Sequence, residues 1–173
     1  NRSRISLDYN PLDEFNYGYT NNNSLLSRNI LGLNVKLLKG LSFEGTYGYI
    51  KGNGNSEIYD DARSYRVRSE LVQFTVAPTA DDTPVYYLPN TGGIYETGKT
   101  DQRDWTIRNQ LSYKNSWGAD RHQLNVLIGQ EAQEQLSTTT GSKVRGYNDM
   151  LQTSLPVDYA TLGLNGVWDP VMP

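Results

Sequence analysis

Cysteine is absent from the sequence, histidine occurs once, and no uninterrupted apolar run reaches the roughly 18 residues of a membrane-spanning helix. The lack of cysteine excludes a scaffold held by disulfides and any metal site built on thiolates. The lack of a long apolar run excludes a transmembrane helix. The net charge of −3, without a basic stripe, argues against a nucleic-acid partner.

Tyrosine and glycine are abundant instead. The chain holds 13 Tyr, 3 Trp and 16 Gly, a composition typical of β-structure. Its hydrophobic fraction is only 36%, which is little for a conventional core, while the charged fraction of 20% is too moderate for a disordered chain. A polar average that contains apolar stripes is typical of a transmembrane β-barrel, because only alternate residues of each strand face lipid.

Alternation of apolar with polar or small residues predicts four strands. Their approximate ranges are 29–38, 41–51, 105–114 and 122–131. Lys39-Gly40 is a turn signal between the first two strands, and the polar link 115–121 joins the last two. Each strand has about the 9–11 residues that cross a bilayer at a tilt, whereas globular strands average about 5–6 residues.

Three long segments are predicted as loops on the side away from these short turns. They cover about 10–27, 52–104 and 132–173. Short turns on one side and long loops on the other are the arrangement of outer-membrane barrels. Within the second loop, the β-prone runs 71–77 and 84–88 predict a hairpin that rises above the membrane.

Catalytic constellations do not emerge from the sequence. His122 is the only histidine, it lies beside a turn, and no serine has the surroundings of a nucleophile elbow. The acidic pairs Asp60-Asp61, Asp81-Asp82 and Asp13-Glu14 lack the spacing of a calcium loop, which favours solvated loop charge. The sequence therefore predicts neither an enzyme nor a cofactor or metal site.

A binding surface is the remaining expectation. Aromatic and amide side chains in the loops are suited to stacking on sugar faces, or to contacts with another protein, and the sequence leaves these two uses open. The candidates for contact with a substrate or a lid protein are Tyr86, Tyr87, Asn90, Tyr95, Tyr147 and Trp168.

The two faces of the strands give two further sets of candidates. Those for the inward, lumen-facing side are Asn34, Lys36, Glu44, Arg108, Gln110 and Asn125, for which simple solvation of the interior is the alternative role. Those for the outward, lipid-facing side are Leu31, Leu33, Val35, Leu37, Ile107, Leu124, Val126 and Ile128.

An ordered set of short phrases resembles the SusC/RagA-type TonB-dependent outer-membrane transporters. The phrases are Tyr9-Asn10-Pro11-Leu12, Leu37-Leu38-Lys39-Gly40-Leu41-Ser42-Phe43, Trp105-Thr106-Ile107-Arg108-Asn109-Gln110-Leu111, the stretch 122–135, and Arg145-Gly146-Tyr147-Asn148-Asp149. The resemblance implies a barrel of about 22 strands around a plug. It also implies a SusD-like surface lipoprotein as lid, coupling to TonB, and import of oligosaccharides or peptides.

Under this resemblance, residues 1–173 form an antiparallel part of the barrel in a Gram-negative outer membrane, without the plug or the TonB box. We expect both ends to lie within a longer protein, and the remaining barrel and plug segments to complete the wall against lipid. TonB would act through the missing plug. The main alternative is a soluble, secreted β-sandwich that binds carbohydrate. A more distant one is a β-rich glycosidase with two catalytic carboxylates.

Overall fold

The structure is a computed structural model that describes residues 2–164, and most of these residues lie in β-strands. The elements in chain order are α1 (Pro11–Glu14), β1 (Gly18–Leu38), β2 (Leu41–Asp60), α2 (Tyr65–Gln73), β3 (Thr75–Val76), β4 (Val85–Tyr86), β5 (Gly93–Trp117), β6 (His122–Tyr147) and α3 (Tyr159–Leu164). Among the residues described, no helix is long and apolar enough to cross a membrane.

The four long strands form one sheet in the order β1-β2-β5-β6, with β1 and β6 at its edges. Short connections join β1 to β2 and β5 to β6, as in antiparallel hairpins. A second, two-stranded sheet pairs β3 with β4 in antiparallel register. The prediction of an all-β chain with an antiparallel sheet is confirmed at this level, and within the described residues the main sheet is open.

The strands are longer than the sequence predicted. β1 begins at Gly18 instead of near residue 29, and β6 continues to Tyr147 instead of ending near 131. β2 and β5 also extend into the predicted loop 52–104. The loop boundaries are therefore wrong, because these extensions carry polar residues on both faces and lack the regular alternation that marks a half-buried strand. Pairing with neighbouring strands fixes their conformation instead.

Gly40 ends the first hairpin turn in a conformation that favours glycine, with φ of 82°. Its carbonyl oxygen accepts a hydrogen bond of 2.7 Å from the Lys114 amide on β5. A Cβ atom at this position would clash with the Lys114 carbonyl oxygen. The turn residue therefore also fixes how β5 approaches the first hairpin.

Helix α2 corrects the predicted β-run over residues 71–77. Ser64 caps the helix by accepting a hydrogen bond of 3.2 Å from the Val67 amide. Leu71 and Phe74 then pack around the buried Leu88 and Leu162. Because this apolar contact requires helical spacing, residues 71–73 are helical, and only the two-residue pair β3–β4 remains of the predicted hairpin.

The chain divides into two compact units. Unit 1 comprises the described residues within 1–23, 55–99 and 140–173, and unit 2 comprises 24–54 and 100–139. All of the buried hydrophobic side chains belong to unit 1, within the described part of the chain. They are Val67, Phe74, Leu88, Ile94 and Leu162. Of the described residues in unit 2, only Gly45 and Gly52 are buried.

Candidate binding surfaces

One face of the sheet in unit 2 is apolar and uncovered. Its side chains alternate along each strand, so that they project from the same side. The eight lipid-facing candidates are all exposed, by 36% at Val35 to 67% at Ile128. A surface of this kind is rare on a soluble monomer, where contiguous apolar patches are small.

Two polar groups on this apolar face have partners. Asn109, which interrupts the apolar alternation of β5, accepts a hydrogen bond of 2.9 Å from the Tyr47 hydroxyl. The Trp105 indole donates a hydrogen bond of 2.5 Å to Glu134. The hydrogen bond from Tyr47 therefore compensates for the polar interruption at Asn109 within the sheet.

The opposite face of unit 2 carries most of its polar side chains, which cross-strand bonds tie together, alongside the exposed Ile30, Leu38 and Leu127. Asn34 donates to Glu44 at 3.4 Å, and Arg108 forms an ion pair of 2.9 Å with Glu131. The hydroxyls of Ser42 and Ser112 share a hydrogen bond of 2.7 Å. Among the remaining lumen-facing candidates, Lys36 and Asn125 are exposed, and Gln110 is half-buried.

An ion-pair network joins α2 to the sheet in unit 1. Arg145 is almost fully buried, and its Nη2 and Nε atoms lie 2.6 and 3.1 Å from Oε1 of Glu70 on α2. The Lys143 ammonium approaches the same oxygen at 2.8 Å. Burial of these charges is tolerated because each one is paired at hydrogen-bonding distance.

Two further ion pairs link α2 to the same sheet. Arg66 of α2 reaches Asp60 and Glu96, at 2.6 Å each. Desolvation opposes the ionisation of Glu96, but its bond to Arg66 and the charges of Arg66 and Lys143 outweigh that effect and lower its pKa. The bond to Glu96 raises the pKa of Arg66 in turn.

Four tyrosines form a cluster on the other face of the sheet in unit 1. The rings of Tyr95 and Tyr147 stack at 4.5 Å, Tyr59 meets Tyr147 at 5.9 Å, and Tyr19 meets Tyr59 at 5.4 Å. Asp60 and Glu96, which bind α2, are the sequence neighbours of Tyr59 and Tyr95. Because successive strand residues point to opposite faces, Tyr59 and Tyr95 lie on the face away from α2. Tyr147 joins them although Arg145, two residues before it, pairs with α2, because the positive φ of 63° at Gly146 interrupts the alternation.

The pKa values of three tyrosines in this cluster, Tyr19, Tyr59 and Tyr95, are raised. Desolvation, followed by the 3.0 Å hydrogen bond to Asp149 and the charge of that carboxylate, raises the pKa of Tyr19 to about 12. Desolvation also raises the pKa of Tyr59 and of Tyr95, with the negative charges of Asp61 and Glu57, respectively, as the next contributions. These three tyrosines therefore present neutral hydroxyls that can take part in hydrogen bonds.

The structure brings only two of the predicted contact residues together, namely Tyr95 and Tyr147. Tyr86 donates a hydrogen bond of 2.9 Å to the Ser3 carbonyl oxygen, and Tyr87 packs against the buried cluster of Phe74, Leu88 and Leu162. Asn90 is exposed. The candidate Trp168 lies outside the described residues.

Sequence reasoning missed the ion pairs of unit 1. It treated Glu14, Asp60 and Asp61 as solvated loop charges, whereas the structure pairs them with Arg68, Arg66 and Arg63, respectively. The three arginines within six residues of each other were the available signal. Among the described residues, no group of three or more histidine or acidic side chains is arranged to hold a metal ion.

Comparison with known proteins does not assign the chain to a family. No protein-family model matches the chain, and no curated protein is significantly similar to it. The resemblance to SusC/RagA-type transporters therefore rests on the phrases quoted above and remains a prediction.

Proposed function

We propose that the chain is part of the β-barrel of a TonB-dependent outer-membrane transporter, which imports oligosaccharides or peptides together with a SusD-like surface lipoprotein. In this proposal unit 2 supplies the wall of the barrel within the membrane. Unit 1, whose strand residues are polar, belongs to the part in water. The chain performs no bond chemistry, and its role is binding and gated passage.

The observation that carries the proposal is the uncovered apolar face of unit 2. Leu33 and Ile128 are exposed by 47% and 67%, while the opposite face carries bonded polar pairs such as Arg108 with Glu131. A sheet that is apolar on one side and polar on the other fits a barrel wall between lipid and a water-filled lumen. In water, the same face would favour aggregation.

Strand length also supports this reading over the secreted β-sandwich. The four main strands have 21, 20, 25 and 26 residues, whereas strands of globular proteins have about 5–6 residues. A sandwich also requires a second sheet of comparable size over the apolar face. The second sheet in the described chain has two residues per strand and belongs to unit 1.

The roles of individual residues follow from the two faces. The inward candidates Asn34, Lys36, Glu44, Arg108, Gln110 and Asn125 line the lumen or contact the plug. Contacts with substrate or with the lid protein are made in unit 1, where Tyr95 and Tyr147 stack. TonB acts through the plug, and the remaining barrel segments pair with the open edges of the sheet.

A pair of adjacent substitutions tests the facing assignment. Leu33→Arg places a charge on the apolar face, where an arginine near the middle of a bilayer costs roughly 2–4 kcal/mol. We expect several-fold less of this variant in outer-membrane fractions of a Gram-negative host that expresses the full transporter. Asn34→Arg adds the same side chain on the polar face and should assemble nearly normally. Equal yields of the two variants would refute the proposal.

The partners are tested on the native source. The outer membrane is solubilised in detergent, the chain is captured, and its companions are identified by mass spectrometry. We expect further barrel segments and a surface lipoprotein. Recovery of the chain as a detergent-independent monomer in the soluble fraction would contradict the transporter and favour the secreted binding module.

A further inference from the structure

A cleft in unit 1 lies outside both surfaces described above. It has a volume of about 410 Å³ and is formed by the segment that contains α1 and by the residues that begin α2. Small-molecule sites have volumes of about 300–1,000 Å³, so the cleft is large enough for a ligand of one or two rings.

The walls of the cleft are held in place by bonds between the two segments. The Arg68 guanidinium donates hydrogen bonds of 2.8 Å to the carbonyl oxygens of Ser6 and Asp8. The Glu14 carboxylate accepts from the Tyr65 amide at 2.9 Å with each oxygen. Asn10 caps α1 by accepting a hydrogen bond of 3.2 Å from the Leu12 amide. A ligand would therefore meet a preformed surface, which lowers the entropy cost of binding.

Aromatic rings supply two of the cleft walls. Tyr9 is 61% exposed, and its ring meets Tyr65 edge to face at 5.6 Å. The Arg63 guanidinium lies 4.7 Å from the centre of the Tyr17 ring, which fixes the position of that ring. The exposed Tyr9 ring is suited to stack against a flat apolar face of a ligand, and the half-buried Tyr17 offers the ring face that Arg63 leaves uncovered.

The polar groups of the cleft favour a ligand that donates hydrogen bonds. The lining contains the carboxylates of Asp8, Asp13 and Glu14 and the guanidiniums of Arg63 and Arg68. Both guanidiniums are already bonded, to Asp61 and to Glu14, respectively. For Asp8 and Asp13, one oxygen accepts an internal side-chain bond, from Ser6 and Asn10, which leaves the carboxylates further capacity as acceptors.

We infer that the cleft between α1 and the start of α2 binds a neutral oligosaccharide, with Tyr9 and Tyr17 stacking on sugar rings and Asp8 and Asp13 accepting from sugar hydroxyls. An anionic ligand is disfavoured because three carboxylates face two guanidiniums that are already paired. A strongly apolar ligand is disfavoured because carboxylates would lose hydration without a donor. A sugar ring meets both requirements, with its C–H faces and its hydroxyls.

This inference deepens the proposed function, since it names oligosaccharides as a ligand class of the chain, and it rests on import for its biological meaning. Peptides are the competing class that the test compares directly. The cleft itself lies within unit 1. Binding and membrane assembly are therefore separate measurements, and each can fail alone.

The test measures ligand binding to the full chain in detergent by isothermal titration calorimetry. The probes are an α-linked and a β-linked glucose hexasaccharide, with a lysine-containing hexapeptide for comparison. We expect at least one hexasaccharide to bind more tightly than the peptide. Tyr9→Ala, Tyr17→Ala and Asp13→Asn should each weaken that binding about tenfold, while Tyr17→Phe keeps the ring and should change it less than threefold.

Matched controls lie outside the cleft. Tyr49→Ala removes an exposed ring of unit 2, and Asp81→Asn neutralises an exposed loop carboxylate, and neither should alter binding. The inference is overturned if neither hexasaccharide binds at millimolar concentration, if the peptide binds more tightly, or if cleft and control variants behave alike. If the chain binds the hexasaccharide at the cleft but fails to enter outer membranes, the inference is upheld and the proposed transporter function is contradicted.

Discussion

Units 1 and 2 are built from the same four long strands, but different interactions stabilise them. Unit 1 buries Phe74, Leu88 and Leu162 and pairs the buried Arg145 with Glu70. Among the described residues of unit 2, only Gly45 and Gly52 are buried, so this unit has no buried side chains. Unit 1 therefore carries its own core, whereas the stability of unit 2 depends on backbone pairing and on what covers its apolar face.

This difference shows that the alternation of apolar and polar residues along a strand does not by itself indicate whether the sheet is stable in water or in lipid. The same strand can be polar on both faces in one unit and amphipathic in the other. Where α2 and α3 supply a cover, ion pairs and a small core complete the structure. Where no cover exists in the described chain, the apolar face requires lipid or protein. The following predictions test this contrast, from the largest expected effect to the smallest.

Removing the Glu70 carboxylate should give the largest effect. Glu70→Gln removes the carboxylate that pairs with the guanidinium of Arg145, whose side chain is only 3% exposed. Breaking such a buried pair costs about 3 kcal/mol. We expect amide hydrogen exchange in α2 to accelerate about a hundredfold, a change measured by mass spectrometry in detergent at constant pH.

A matched substitution in unit 2 is the control. Glu131→Gln breaks the ion pair with Arg108. The side chains of Arg108 and Glu131 are 60% and 45% exposed, respectively. Exposed pairs contribute roughly 0–1 kcal/mol, so exchange near this pair should change by a few-fold at most. Similar effects of the two substitutions would remove the contrast between the units.

Gly40→Ala tests the dependence of unit 2 on its backbone. The positive φ of 82° and the clash with the Lys114 carbonyl oxygen should destabilise the turn by about 1–2 kcal/mol. We expect exchange of the Lys114 amide, which donates to Gly40, to become about tenfold faster. Gly32→Ala, where an added Cβ meets no atom within 4 Å, should have little effect. An unchanged Lys114 amide in Gly40→Ala would contradict the role given to this turn.

The pH dependence of unit 1 should show the smallest effect. The folded-state pKa of Glu96 is lowered, so its ion pairs add stability above the unfolded pKa of about 4.5. That stability is lost as pH falls through the folded value. Glu96 and Arg66 are partly exposed, so we expect only about a threefold effect on α2 exchange, once the intrinsic pH dependence is removed. Glu96→Gln should abolish it, and Glu131→Gln in unit 2 should not. Persistence of the full effect in Glu96→Gln would assign it to another group.

The sequence predicted the fold class because alternation is strong where one face is apolar. Leu31 to Leu37 on β1 and Leu124 to Ile128 on β6 follow the two-residue period, and the structure has strands there. The polar extensions could not be predicted in this way. Residues 18–28 have polar side chains on both faces and the consecutive Leu25 and Leu26, so they show no two-residue period, and pairing with the neighbouring strand holds them extended.

The candidate sites were predicted less well, for a related reason. Tyr95 and Tyr147 are far apart in sequence, and their stacking depends on how β5 and β6 pair. Tyr87 has the same polar, turn-rich surroundings as the other candidates, yet the helical conformation of residues 71–73 places it against a core. A helix within a predicted loop changes which side chains are available for binding.

The edge strands of the sheet have a consequence for the isolated chain. β1 and β6 have 21 and 26 residues, and along an edge every second residue directs its backbone N–H and C=O groups away from the sheet. In a four-stranded antiparallel order the first and last strands run in opposite directions. The β6 edge of one copy is therefore correctly oriented to pair with the β1 edge of another. Such a contact is heterologous, so repetition leads to a closed ring or to an open filament.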